Sequence, residues 1–241
     1  MKFSVSIPAV FNGVDVSKAV DKVKELGITH VEFWGCPNQT FSIPILGFCT
    51  SEFNLVDPSM RDKFIDGLKD SIESAKDLGA KCLITQTGND TGWPGQKENI
   101  IETLKLAAPL LEASGITLLL EPLNNRNHPG HYLQRSDEAF EIVKAVSSPN
   151  VKVLFDIYHQ QITEGDILTN IRENIDLIGH FHVAGVPDRA EPYNSEINYA
   201  YVLSEIDKLN YSGFAGLEFF PTVDPVEAIS ETLKMLEGKF V

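Results

Sequence analysis

A chain of 241 residues is long enough for one large α/β domain or two small ones. Its 20 basic and 34 acidic residues leave a formal charge of −14, a field that repels nucleic-acid phosphates and anionic lipid headgroups. Hydrophobic content of 43% with 22% charged residues is a globular balance, and no apolar run approaches the roughly 18 residues of a membrane span, so no nucleic-acid or membrane partner is expected.

In chain order, the alternation in Phe3-Ser4-Val5-Ser6-Ile7 predicts a first strand over 3–7 rather than a signal peptide, so a cytoplasmic location is expected. Short β-branched runs then alternate with amphipathic segments. Strands are predicted over 3–7, 29–34, 46–50, 82–86, 117–121, 152–156, 178–183 and 216–219, and helices over 17–26, 59–78, 97–113, 136–146, 166–174, 199–208 and 226–236. Gly27, Gly79 and Gly115 each follow a helix, where a left-handed residue is wanted. Eight strands in unbroken alternation over 1–241 predict a single α/β domain, a closed (β/α)8 TIM barrel. One unit breaks the rhythm. The segment from Gly35 to Ile45 holds Pro37 and Pro44 and no helical period, so the second helix is expected to be missing or shortened. Phe41, Ile43 and Ile45 are expected to cover the barrel wall in its place. Cys36, Cys49 and Cys82 are odd in number and lack Cys-x-x-Cys spacing, which suggests neither disulfides nor a thiolate zinc site; they read as small core hydrophobes.

Functional residues of such barrels gather at the C-terminal ends of the strands. There the sequence offers Glu121 after Leu118-Leu119-Leu120, Asp156 after Val153-Leu154-Phe155, His180 and His182 in strand seven, and Glu218 in strand eight. Glu121, Asp156, His182 and Glu218 are 35, 26 and 36 residues apart, about one β/α unit each, so they can converge over the barrel mouth. Three carboxylates and an imidazole form a hard, oxygen-rich set for one divalent cation, Mn²⁺ or Mg²⁺ first, with Co²⁺ or Zn²⁺ as further candidates. His180 lies on the same face as His182 but deeper, which favours His182 as the ligand and His180 as a supporting group, with the reverse order as the alternative. The glycine-rich loop 87–95 carries Trp93, read as a lid closing over substrate against the alternative of a rigid surface turn. Phe11 and Trp34, just past strand ends, are candidate apolar walls.

Several longer runs are more specific. Glu121-Pro122-Leu123-Asn124, Pro129-Gly130-His131-Tyr132-Leu133, Asp156-Ile157-Tyr158-His159, the stretch from His182 to Arg189, Glu191-Pro192, Glu196-Ile197-Asn198-Tyr199 and Gly216-Leu217-Glu218 resemble the hydroxypyruvate isomerase family. That family belongs to the xylose isomerase-like TIM barrels, beside the D-tagatose 3-epimerase group. The resemblance is dense from about Ile116 to Pro221 and thinner before it. It implies isomerisation of a small hydroxycarbonyl compound on one divalent metal, with Glu121, Asp156, His182 and Glu218 as ligands. It further implies Glu121 and Glu218 as the acid/base pair of an enediolate reaction, and His159 and Arg189 as binders of substrate oxygens. The chemistry is consistent, because removing a proton α to a carbonyl needs a carboxylate base and a Lewis acid on the carbonyl oxygen. A homodimer or tetramer is also implied. Three departures stand out. His182 replaces a glutamine found in some hydroxypyruvate isomerases, Asn127 stands where ketose 3-epimerases usually carry an acid, and the second unit is short. The alternatives are a ketose 3-epimerase and, from a different class, a non-catalytic binding protein on a degenerate barrel. A DNA-repair role, known for endonuclease IV in the same superfamily, is opposed by six histidines in all and the charge of −14.

Overall fold

The computed structural model of the protein describes residues 1–237. Eight parallel strands close in sequence order: β1 (Lys2–Ser6), β2 (His30–Phe33), β3 (Ile45–Cys49), β4 (Cys82–Thr85), β5 (Thr117–Leu120), β6 (Val151–Asp156), β7 (Ile178–Val183) and β8 (Phe214–Leu217), with β8 pairing back onto β1. The (β/α)8 TIM barrel read from the strand count is the observed fold. The period of two in each strand sets its layers. Leu119 and Leu154 join Leu46, Cys82 and Ile84 in a compact apolar cluster, whereas Leu118, Leu120, Val153 and Phe155 belong to the larger core. Two residues beyond Leu119 and Leu154, the same parity brings Glu121 and Asp156 to the barrel mouth.

Around the barrel run α1 (Ile7–Val10), α2 (Val16–Glu25), α3 (Arg61–Leu78), α4 (Gln96–Ser114), α5 (Ser136–Val146), α6 (Ile157–Thr163), α7 (Ile167–Asn174), α8 (Tyr199–Lys208) and α9 (Pro225–Glu237). Gly27, Gly79 and Gly115 adopt φ of +80°, +70° and +71°, the left-handed turns expected of them. Two helices escaped the sequence reading. α1 is a single turn begun at Ile7, with Pro8 in its first turn, so β1 stops at Ser6. α6 starts directly on the last residue of β6, with the Asp156 carboxylate accepting the backbone N–H groups of Tyr158 and His159. Asp156 thus ends a strand and caps a helix at once.

No helix joins β2 to β3, as the prolines predicted. The extended crossover buries Ile43 and Ile45, and Phe41 stacks on Phe33 with ring centroids 5.2 Å apart. Burying each isoleucine contributes about 1.5–3 kcal/mol, which offsets part of the contact a helix would have made. Cys36 is exposed rather than part of the core, Cys49 is half-buried and Cys82 is buried. No helix among the described residues is long and apolar enough to cross a membrane.

Candidate active site

Four side chains meet over the barrel mouth. Glu121 follows β5, Asp156 ends β6, His182 lies in β7, and Glu218 stands one residue beyond β8, since that strand covers Phe214–Leu217 rather than the later span expected. One ligand atom from each lies within 4.8 Å of the others. All four are buried, and each carboxylate has one oxygen anchored to the scaffold. Glu121 Oε2 accepts from Gln86 Nε2 at 3.0 Å, and Asp156 Oδ1 caps α6. Glu218 Oε1 accepts from Trp34 Nε1 at 2.7 Å and Ser6 Oγ at 3.1 Å. The remaining oxygens face a common focus, where Arg189 Nη2 donates to Glu218 Oε2 at 2.6 Å and to Asp156 Oδ2 at 3.2 Å.

Burial raises Glu121 to about 7, with the neighbouring Glu218 charge pushing the same way and His182 opposing. Burial also acts upward on Glu218, but His182 and Arg189 outweigh it and hold the carboxyl well below its usual range. Asp156 is raised, chiefly by burial. His182 is disfavoured as a cation by burial yet lifted well above 6.5 by Glu218 and Glu32. The donor set fits a hard divalent cation. Its most direct sign is His182 Nδ1, which is buried and makes no hydrogen bond although Glu218 Oε2 lies at 3.1 Å and Glu121 Oε1 at 3.9 Å.

A cavity of about 630 Å³ opens above this group. Trp34, Phe53 and Phe220 form half-exposed walls, and Asn127, His128 and His131 form a polar one. His159 reaches it from α6. Its Nδ1 accepts the Asn124 backbone N–H at 3.2 Å, with the Asn124 amide nitrogen at 2.7 Å, so Nε2 carries the ring proton. That Nε2 is buried without a hydrogen-bond partner, and burial followed by the Arg189 charge keeps the ring neutral. Arg189, left-handed at φ +56°, lies 5.2 Å from the Tyr158 ring and also leaves a buried Nε–H unpaired.

The structure therefore brings together Glu121, Asp156, His182, Glu218, His159, Arg189 and Trp34, but not Phe11 or Trp93. Phe11 closes α1 and is buried in the core, away from the cavity walls. Trp93 is exposed and folds onto Gly95, outside the cavity lining, while Asp90 and Gln96 tie its loop down through Gly92 and Thr91. Glu32, Gln86, Ser6, Phe53 and Phe220 were missed. Glu32 carried a readable signal, a carboxylate between Val31 and Phe33 inside an apolar strand.

A family model for the xylose isomerase-like TIM barrel matches residues 38–239. The chain belongs to the xylose isomerase-like TIM barrel family. Within it, the chain is 45% identical over 121 residues to the 2-oxo-tetronate isomerase of Cupriavidus necator, covering 50% of this chain and 46% of that protein, less than half of its length. It is 28% identical over 242 residues to the hydroxypyruvate isomerase of Escherichia coli K12, covering 92% and 94%. The crystal structure of an AP endonuclease, family 2, from Brucella melitensis superposes with a TM-score of 0.88 at 28% identity, covering 96% and 98%. These relatives bear out the resemblance read from the motifs around Glu121, Asp156, His182 and Glu218.

Proposed function

We propose that this xylose isomerase-like barrel is an enzyme that isomerises a small hydroxycarbonyl acid, of the kind named by its hydroxypyruvate and 2-oxo-tetronate isomerase relatives, with one divalent metal ion held by Glu121, Asp156, His182 and Glu218. The observation that carries this reading is the convergence of a buried His182 Nδ1, which makes no hydrogen bond, with three carboxylates at the foot of the cavity. When bound, Mn²⁺ or Mg²⁺, or alternatively Co²⁺ or Zn²⁺, supplies Lewis-acid polarisation of the substrate carbonyl. The protein supplies the rest. Glu121 and Glu218 approach the focus from β5 and β8, so one, ionised, takes the proton from the hydroxyl-bearing carbon, the other, starting protonated, gives its proton to the neighbouring carbon of the enediolate, and the hydroxyl proton passes to the former carbonyl oxygen. The His159 Nε2–H and the unpaired Arg189 Nε–H are buried donors available to substrate oxygens, and the Arg189 guanidinium suits a carboxylate there. Trp34, Phe53 and Phe220 wall off water from the carbon chain.

The test is to strip the protein of metal, refill it with Mn²⁺, Mg²⁺ or Co²⁺, and follow product formation and solvent deuterium uptake with hydroxypyruvate, 2-oxo-tetronate and a panel of ketoses. Metal-dependent exchange at the carbon α to the carbonyl of the acids is the expected result. Turnover of free ketoses alone would transfer the assignment to a 3-epimerase, and no exchange with any compound would refute catalysis of this type.

A further inference from the structure

Directly beneath the four converging side chains lies a second buried cluster of Glu32, His180 and His182, with Ser4 beside it. Glu32 projects into the barrel from β2 and is buried at 2% exposure. Its carboxylate accepts from His182 Nε2 at 3.0 Å, from His180 Nε2 at 3.1 Å and from the Ser4 hydroxyl. An ionised carboxylate is an acceptor only, so three converging donors suit it and require a hydrogen on each of those atoms. The same His182 ring presents Nδ1 to Glu218 and Glu121. One edge of the imidazole therefore faces Glu32 and the opposite edge faces the reaction centre.

For this contact to exist, Glu32 must reach His182 across two intervening strands, and the sequence leaves a gap there. His182 in β7 pairs in register with Gly216 in β8, and Gly216 pairs with Ser4 in β1. A Cβ at Gly216 would lie 2.6 Å from Glu32 Oε1, 2.8 Å from His182 Cδ2 and 3.1 Å from His180 Nε2. Gly216 is not left-handed, so its lack of a side chain serves the close approach and not a turn. Ser4 is the next smallest solution, a short side chain that also donates to the carboxylate.

We infer that Glu32 is a positioning residue: through the space left by Gly216 it holds the Nε2–H edge of His182, with His180 and Ser4 fixing the carboxylate, and so commits Nδ1 to the divalent cation. A ligating histidine whose second nitrogen is fixed by a carboxylate is both oriented and made a better donor, and loss of such a partner costs 10–100-fold in metal affinity. The inference rests on the metal-site reading above and adds the device that makes His182 a competent ligand. It assigns Glu32 and Gly216 roles that neither has as a bulk core residue.

Two measurements test it on the whole protein. In Mg²⁺-saturated, ¹⁵N-histidine-labelled wild type, NMR is expected to show the His182 proton on Nε2 and none on Nδ1; a proton on Nδ1 overturns the inference without any substitution being made. In calorimetric titration with Mn²⁺, Glu32→Gln, which keeps the shape and removes the charge, and Gly216→Ala, which keeps the carboxylate and displaces it, are each expected to lower affinity by about 10–100-fold. Wild-type affinity in both folded variants would overturn the role of Glu32 while leaving the metal site standing. Wild-type protein that binds no Mn²⁺ would overturn both the metal-site reading and this one, so the two failures are distinguishable.

Discussion

His131→Gln should remove a loss of stability that the wild type suffers on acidification. His131 is 5% exposed and lines the cavity, with Nε2 3.3 Å from Thr87 Oγ1. Its backbone pairs with Asn89 in an isolated bridge, so it pins the loop after β5 to the loop after β4. Burial, reinforced by His128, depresses its pKa from 6.5 to about 4. Between those values the unfolded chain binds a proton that the folded chain does not, so folding weakens as pH falls through this window; above 6.5 neither state is protonated and nothing is lost. The depression corresponds to about 3 kcal/mol, most of it lost by pH 4 and all of it below. Glutamine places a neutral amide near Nε2 and cannot titrate. Urea unfolding of both proteins at pH 7, 6, 5 and 4 measures the difference: the wild type should lose about 3 kcal/mol more than the variant between pH 7 and 4. Parallel profiles would refute a neutral, buried His131, and with it the account of the cavity's polar wall.

Three further outcomes follow from the site and the barrel. Glu121→Gln and Glu218→Gln should each lower turnover by about 10²–10⁴-fold in metal-loaded protein, and near-normal turnover in both would remove them as the acid/base pair. Trp34→Phe keeps a ring but deletes the N–H that Glu218 Oε1 accepts at 2.7 Å. Because the indole is half exposed, the low end of a charge-assisted bond applies, and kcat/KM should fall about tenfold with the urea midpoint unchanged. Gly47→Ala would set a Cβ 2.5 Å from Cys82 Sγ and 2.8 Å from its carbonyl oxygen, so unfolding free energy should drop by about 1–3 kcal/mol; an unmoved midpoint would show that β3 and β4 can separate without cost.

The barrel was legible because each β/α unit repeats the same grammar, apolar strand, amphipathic helix and, three times, a left-handed glycine, and because Pro37 and Pro44 announce the missing second helix. Asp156 shows where that grammar fails. A residue that finishes a strand and caps α6 leaves no linker for a pattern to register. The four convergent side chains were legible from spacing, since strand ends in a closed barrel share one rim. Phe11 and Trp93 were misplaced because being near a strand end does not decide which way a loop folds. Tertiary contacts turned Phe11 into the core and Trp93 onto Gly95. Glu32 escapes that rule because it lies inside β2, one residue short of its end, although its neighbours Val31 and Phe33 mark it as a charge committed to the interior.

The value of the rim carboxylates lies in how each is divided. One oxygen of Glu121 is tied to Gln86, one of Asp156 to the amides opening α6, and one of Glu218 to Ser6 and Trp34. Those anchors come from β1, the segments after β2 and β4, and the β6–α6 junction, so the closed barrel itself fixes the direction of each remaining oxygen. Three buried carboxylates turned inward would repel one another, and Glu121 is raised first by its burial and then by the Glu218 charge. Arg189 answers part of it by donating to the free oxygens of Asp156 and Glu218, which places its guanidinium within reach of any substrate seated there. A compound with its own carboxylate would compete with Asp156 and Glu218 for that guanidinium, whereas a neutral ketose would not. Arg189 is therefore the residue whose side chain best separates an acid substrate from a free sugar, and Arg189→Lys, which removes the fork and keeps the charge, should raise KM for the acid more than it lowers kcat.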